Sequence, residues 1–121
     1  MDKEQALHSF WNSFGIPAYD ETSVPDGVSE PYITYSVATG SLGDMIALTA
    51  TIWYRGTSWA DVTQKKNQIA EAISFGGKLI EFDGGSIWLT RGYTFAQRLS
   101  GQKDSVRAYY LQLNAEFFTE N

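Results

Sequence analysis

Residues 30–59, EPYITYSVATGSLGDMIALTATIWYRGTSW, decide the fold. In PYITYSVA (31–38), Ile33, Tyr35 and Val37 point one way while Tyr32, Thr34 and Ser36 point the other. TGSLGD (39–44) carries turn residues. MIALTATIWYR (45–55) then alternates again. Ile46, Leu48, Ala50, Ile52 and Tyr54 form one row; Met45, Ala47, Thr49, Thr51 and Trp53 form the other. The second row is half polar. The stretch therefore predicts a hairpin with one core face and one face only partly covered.

A helix follows. Thr57 or Ser58 is its expected cap, and Asp61 sits in the first turn, where the helix dipole favours an anion. Trp59, Val62, Ile69, Ala70 and Ile73 supply its buried side; Lys65, Lys66 and Glu71 belong to the solvated side. Gly76–Gly77 ends it. On the N-terminal side, Leu7, Phe10, Trp11 and Phe14 make one apolar stripe of a helix over 3–14, stopped by Gly15 and Pro17. IPAY (16–19) is a short extended piece, and 20–30 is a loop holding Asp20, Glu21, Asp26 and Glu30. Toward the C-terminus, 78–91 reads as a second hairpin around a three-residue turn, Asp83–Gly84–Gly85. Residues 92–105, GYTFAQRLSGQKDS, read as a polar loop. The last strand, 106–118, alternates cleanly: Tyr109, Leu111, Leu113, Ala115 and Phe117 against Ala108, Tyr110, Gln112, Asn114 and Glu116. The order α–(β)–β–β–α–β–β–β predicts an α+β domain built mainly on antiparallel sheet, with residues 1–121 as one domain.

Composition narrows the function. The chain is 43 % hydrophobic and 15 % aromatic, enough for a packed core. A domain of this size hides roughly two-thirds of the surface its unfolded chain exposes. Some rings are therefore expected at the surface, where they seek a partner. The net charge of −5 argues against gripping nucleic acid by neutralising phosphates, though it suits a wall that DNA slides past. With no cysteine, disulfides and thiolate metal sites are excluded. No apolar signal segment follows Met1 and no run is long enough to span a membrane, so a soluble intracellular protein is expected.

Catalytic patterns are absent. The single histidine, His8, falls within the first helix and reads as a polar-face residue. No G-x-S-x-G elbow accompanies it, and no phosphate-binding glycine motif is present. The acids of loop 20–30 miss the spacing of a calcium loop and read as a solvated loop; a two-carboxylate hydrolase remains a generic alternative. No catalytic residue, metal or cofactor is assigned. Arg98 and Lys103, beside Gln97, Gln102 and Asp104, belong either to a mobile polar loop or to a loop that docks on another subunit. Trp11 and Trp59 lie on apolar helical stripes and read as core. Trp53 shares its row with threonines and is the better candidate for an exposed anchor.

The order of these elements resembles the small tail-terminator proteins (tail-completion, or minor capsid, proteins) of long-tailed bacteriophages and prophages. The residues carrying the resemblance are IPAYDE (16–21), PYITYSV (31–37), IWYRGTSW (52–59), QKKNQIAEAI (64–73) and RAYYLQLNAEFF (107–118), in that order over nearly the whole chain. The resemblance implies a structural protein, not an enzyme. It would form a homo-hexameric ring, in solution or only on the tail template. The ring would cap the tail tube, meet the head-completion protein and let DNA pass without specific binding. Its place would be the virion tail, and the host bacterial cytoplasm during assembly. A head–tail connector, a tail-tube subunit, or a small ligand-binding or enzymatic domain are the alternatives. The candidate contacts are Thr49, Thr51 and Trp53 on the half-polar strand row, Ser41 and Leu42 at the hairpin tip, and Arg98 and Lys103.

Overall fold

The computed structural model describes residues 1–100 and 102–119. Its elements are α1 (Lys3–Trp11), a 3₁₀ turn (Asn12–Phe14), β1 (Ala18–Asp20), β2 (Tyr32–Tyr35), β3 (Met45–Arg55), α2 (Ala60–Ile73), β4 (Lys78–Phe82), β5 (Gly85–Arg98) and β6 (Val106–Thr119). This is an α+β fold in the predicted order. The six strands form one sheet in the order β1-β2-β3-β6-β5-β4, antiparallel except for the β1–β2 pair.

α1 starts at a capping box. The Asp2 carboxylate accepts the Gln5 N–H at 2.8 Å, and the Gln5 side chain accepts the Asp2 N–H at 2.9 Å. The predicted stripe of Leu7, Phe10, Trp11 and Phe14 is buried. The helix ends earlier than expected, however. It tightens into the 3₁₀ turn before Gly15 leaves it at φ 86°.

β1 runs parallel to β2, so residues 21–31 must carry the chain back along the sheet. The acidic loop is thus a crossover. β2 is shorter than the predicted strand over 31–38. At Ser36 the hydroxyl takes the Thr49 N–H at 2.9 Å, while the Ser36 N–H still reaches the Thr49 carbonyl. This local bond substitutes for the backbone ladder, and the chain peels away. Residues 36–44 are then tied elsewhere. Lys3 Nζ donates to the Gly40 carbonyl at 2.6 Å, the Asp44 carboxylate accepts the Ser41 N–H, and the Gly43 N–H bonds the Phe117 carbonyl.

The centre of the sheet is the β3–β6 ladder, in register from Met45↔Glu116 to Arg55↔Val106. Its inward row sets Leu48 against Leu113, Ala50 against Leu111 and Ile52 against Tyr109. Both helices cover that face. Leu7, Trp11, Val62, Ile69 and Ile73 complete one core with Ile33, Tyr35, Ile87, Leu89 and Phe117.

Three further expectations are corrected. The β4–β5 connection is two residues, Asp83–Gly84, because Gly85 already pairs with Phe82 and Thr119. A Cβ on Gly85 would lie 2.1 Å from the Phe118 carbonyl oxygen, so close approach explains that glycine, and the φ of 91° explains Gly84. Second, β5 continues through residues 92–98, which were predicted as loop; only 99–105 connect it to β6, and Gly101 lies outside the described residues. From Arg91↔Leu113 to Ala96↔Leu111, β5 takes five steps while β6 takes two. This bulge, with Thr94 at φ 55°, breaks the alternation that would have announced a strand. Third, Trp59, not Thr57 or Ser58, occupies the α2 cap position without a side-chain cap bond; the Ser58 hydroxyl instead accepts the Ala60 N–H at 3.1 Å.

Candidate functional site

Among the described residues no layer covers the sheet face turned away from the helices. Its rows cross several strands: Tyr32–Trp53–Ala108, Thr34–Thr51–Tyr110–Gln97, Thr49–Gln112, Ala47–Asn114–Thr90, and Met45–Glu116–Trp88–Leu79. Glu116 is the one charge in these rows. The middle is threonine and carboxamide. The Met45 end is mixed: Met45 is 67 % and Leu79 45 % exposed, and the next row, Glu81–Ser86–Phe118, adds a second carboxylate beside Phe118 at 40 %. At the other end Tyr19, Tyr32 and Trp53 form a ring row with centroids 6.0 and 6.3 Å apart.

Thr49, Thr51 and Trp53 stand on this bare face, as the alternation predicts. Trp53 is half-buried and held. Its indole N–H donates to Thr34 Oγ1 at 3.0 Å, so it is a braced platform, not a loose anchor. Ser41 and Leu42 are exposed at the Met45 end. Arg98 and Lys103 lie at the opposite end of the strands. The seven candidates therefore mark one face and both its ends, not one pocket.

The Arg98 end holds a cluster that sequence reading missed. The Arg98 guanidinium stacks over the Trp59 ring at 4.4 Å, and Arg107 approaches the same ring at 5.6 Å. Arg98 Nε donates to the Tyr109 hydroxyl at 3.3 Å, Tyr109 meets Trp59 edge-on at 5.7 Å, and Lys66 Nζ sits 5.4 Å from the Tyr109 ring. Arg107 is fixed by the carbonyls of Thr57, Asp104 and Val106. The Arg98 hydrogen bond holds the Tyr109 phenol below its ordinary pKa against the opposing effect of burial, helped by the Arg98 and Lys66 charges. Trp59 is half-buried at this rim instead of deep in the core, and Lys66 lies across a ring instead of in open solvent. Lys65 likewise turns inward, to the Phe14 carbonyl at 2.5 Å. Among the described residues two ion pairs form, Met1 amine–Asp83 at 2.6 Å and Arg55–Glu30 at 3.1 Å. Neither involves Arg98, Arg107 or Lys66. No sequence signal pairs Arg98 with Arg107, because their adjacency depends on the bulged register of β5.

An open groove of about 540 Å³ lies beside α1, lined by Glu4, Gln5, His8, Asp20, Tyr35 and Val37 among others. His8 Nδ1 shares a 2.8 Å hydrogen bond with the Tyr35 hydroxyl. Burial, then the Asp20 and Glu4 charges, push the Tyr35 phenol up. The Thr22 N–H, then its hydroxyl, hold the Asp20 carboxyl below its ordinary value. An enzyme working through the crossover loop needs two of its acids in one cavity. Of Asp20, Glu21, Asp26 and Glu30, only Asp20 lines this groove. Among the described residues no group of three or more His, Asp or Glu side chains is placed to hold a metal.

The fold is found elsewhere. A chain in the virion of a native gene transfer agent particle superposes with a TM-score of 0.61, covering 94 % of this chain and 90 % of that one at 16 % identity. No family model and no curated protein matches the chain.

Proposed function

We propose that this protein is a structural component of a phage-like particle, and specifically a tail terminator that caps the tail tube as a ring. The observation that carries the reading is the shared fold with a chain of an assembled virion, over nearly the full length of both chains. The bare face supports it. A sheet face whose middle is threonine, carboxamide and aromatic side chains, with nothing among the described residues laid over it, suits a subunit contact or a channel wall. Short edge strands, β1 and β4, leave backbone groups that a neighbouring copy can cover. A heterologous contact repeated around an axis closes into a ring. No side chain in this role performs a reaction; the work is positional, stopping tube growth and presenting a surface to the head.

The test is addition of the purified protein in trace amounts to polymerising tail tubes. A terminator stops growth at substoichiometric levels. A tube subunit is incorporated and lengthens the tubes, and a head–tail connector leaves tube growth unchanged; either result removes the terminator assignment.

A further inference from the structure

The proposed self-assembly leaves open which surfaces meet, and the distribution of charge answers it. At one end of the strands Arg98 and Arg107 flank Trp59, with Lys66 beside Tyr109, and none of the three cations has a carboxylate partner among the described residues. Stacking on Trp59 and the Tyr109 hydroxyl hold the Arg98 guanidinium, and backbone carbonyls hold that of Arg107, so little side-chain freedom is left to lose on binding. The other end is acidic. Glu4, Asp44, Glu81 and Glu116 gather there with Asp83, against Lys3 and Lys78. Lys3 is committed to the Gly40 carbonyl and the Phe117 ring, and Asp83 to the N-terminal amine. The nine steps from Arg107 to Glu116 along β6 span about 30 Å, several times the roughly 8 Å screening length at physiological salt. Within one chain the two ends do not neutralise each other. Between two chains they can touch.

We propose that the Trp59–Arg98–Arg107 cluster receives carboxylates from the Glu81–Glu116 end of a second copy of this chain, making a head-to-tail contact. The occupant is a second copy because this protein itself carries the complementary acidic surface, at the end of the sheet that the cluster does not occupy. A contact of unlike surfaces repeats from copy to copy and either closes into a ring or runs on as a filament. This inference rests on the proposed self-assembling role and adds the polarity of its contact.

The experiment is a charge exchange read by mass photometry and sedimentation. One variant carries R98E/R107E, the other E81K/E116K. The unaltered protein is expected to associate with rising concentration and to dissociate with salt. Each variant alone is expected to lose at least about tenfold in association, because like charges then face each other. An equal mixture of the two regains assembly, since every contact becomes complementary again in alternating order. Variants that assemble as well as the parent, a mixture that stays monomeric, or a parent that stays monomeric at high concentration and low salt overturns the proposal. So does tight binding of a duplex DNA fragment that R98E/R107E abolishes, which would make phosphates the occupant. Should a charge variant fail to fold, the parent sequence still decides. It has no cysteine, so T39C at the acidic end and S105C at the basic end, joined by a short bismaleimide, must give a ladder of chains; dimers or no product refute the contact. A mixture that regains assembly as open filaments without closed rings would keep the contact and remove the terminator reading.

Discussion

The two faces of the β3–β6 ladder are made by alternate residues of the same strands, yet they are under different demands. On the helix side Leu48, Ile52, Leu111, Leu113 and Phe117 are sealed. On the bare side Thr49, Thr51, Tyr110, Gln112 and Asn114 stay half-exposed in the same register. A sheet needs only one packed face for stability. The second face is free of that demand, and in the proposed role its uncharged side chains serve contacts instead of folding.

That contrast is broken most directly at Phe117. Phe117→Ala should cost about 3–5 kcal/mol, a large share of the roughly 5–15 kcal/mol that holds such a domain together, as read by urea unfolding. A cost below 1 kcal/mol would mean the helix face is not the core. Trp53→Phe keeps the ring row but removes the bond to Thr34. It should cost about 0.5–1.5 kcal/mol in the same assay. Thr49→Lys and Thr51→Lys should each change the isolated chain's stability by no more than about 0.5 kcal/mol while abolishing tube capping. Full capping by both would show that the bare face touches nothing.

The smallest effect sits at the rim. Tyr109 has its phenol pKa lowered, so its phenolate is favoured in the fold. The stabilisation is complete above the unfolded value and fades as pH falls through the folded one. Tyr35 and Tyr54 are raised, chiefly by burial; their contribution is present below the unfolded value and is lost as pH rises through the folded one. Phenolate absorbance should therefore rise in separate steps. Tyr109→Phe should remove the earliest step, and loss of a late step instead would contradict the Arg98 bond.

Much of the fold was legible because period-two alternation is strict where one face is sealed. Ile46 to Tyr54 and Tyr109 to Phe117 announced their strands and their inward sides. Alternation failed where local chemistry overrides it. At Ser36 a hydroxyl takes a ladder position, and at Gly92–Phe95 extra residues bulge, so a strand was read as a loop. The Asp2–Gln5 capping box has only a short local signal, an acid three residues before a glutamine. The bare face was foreseen from the threonines of β3. The Arg98–Trp59–Arg107 cluster was not, since it joins three elements through a shifted register.

The central claim is tested by electron microscopy of particles assembled without this protein. The proposed role requires tails of irregular, overextended length that fail to join heads, restored when the protein is supplied. Tails of normal, uniform length that still join heads would contradict it.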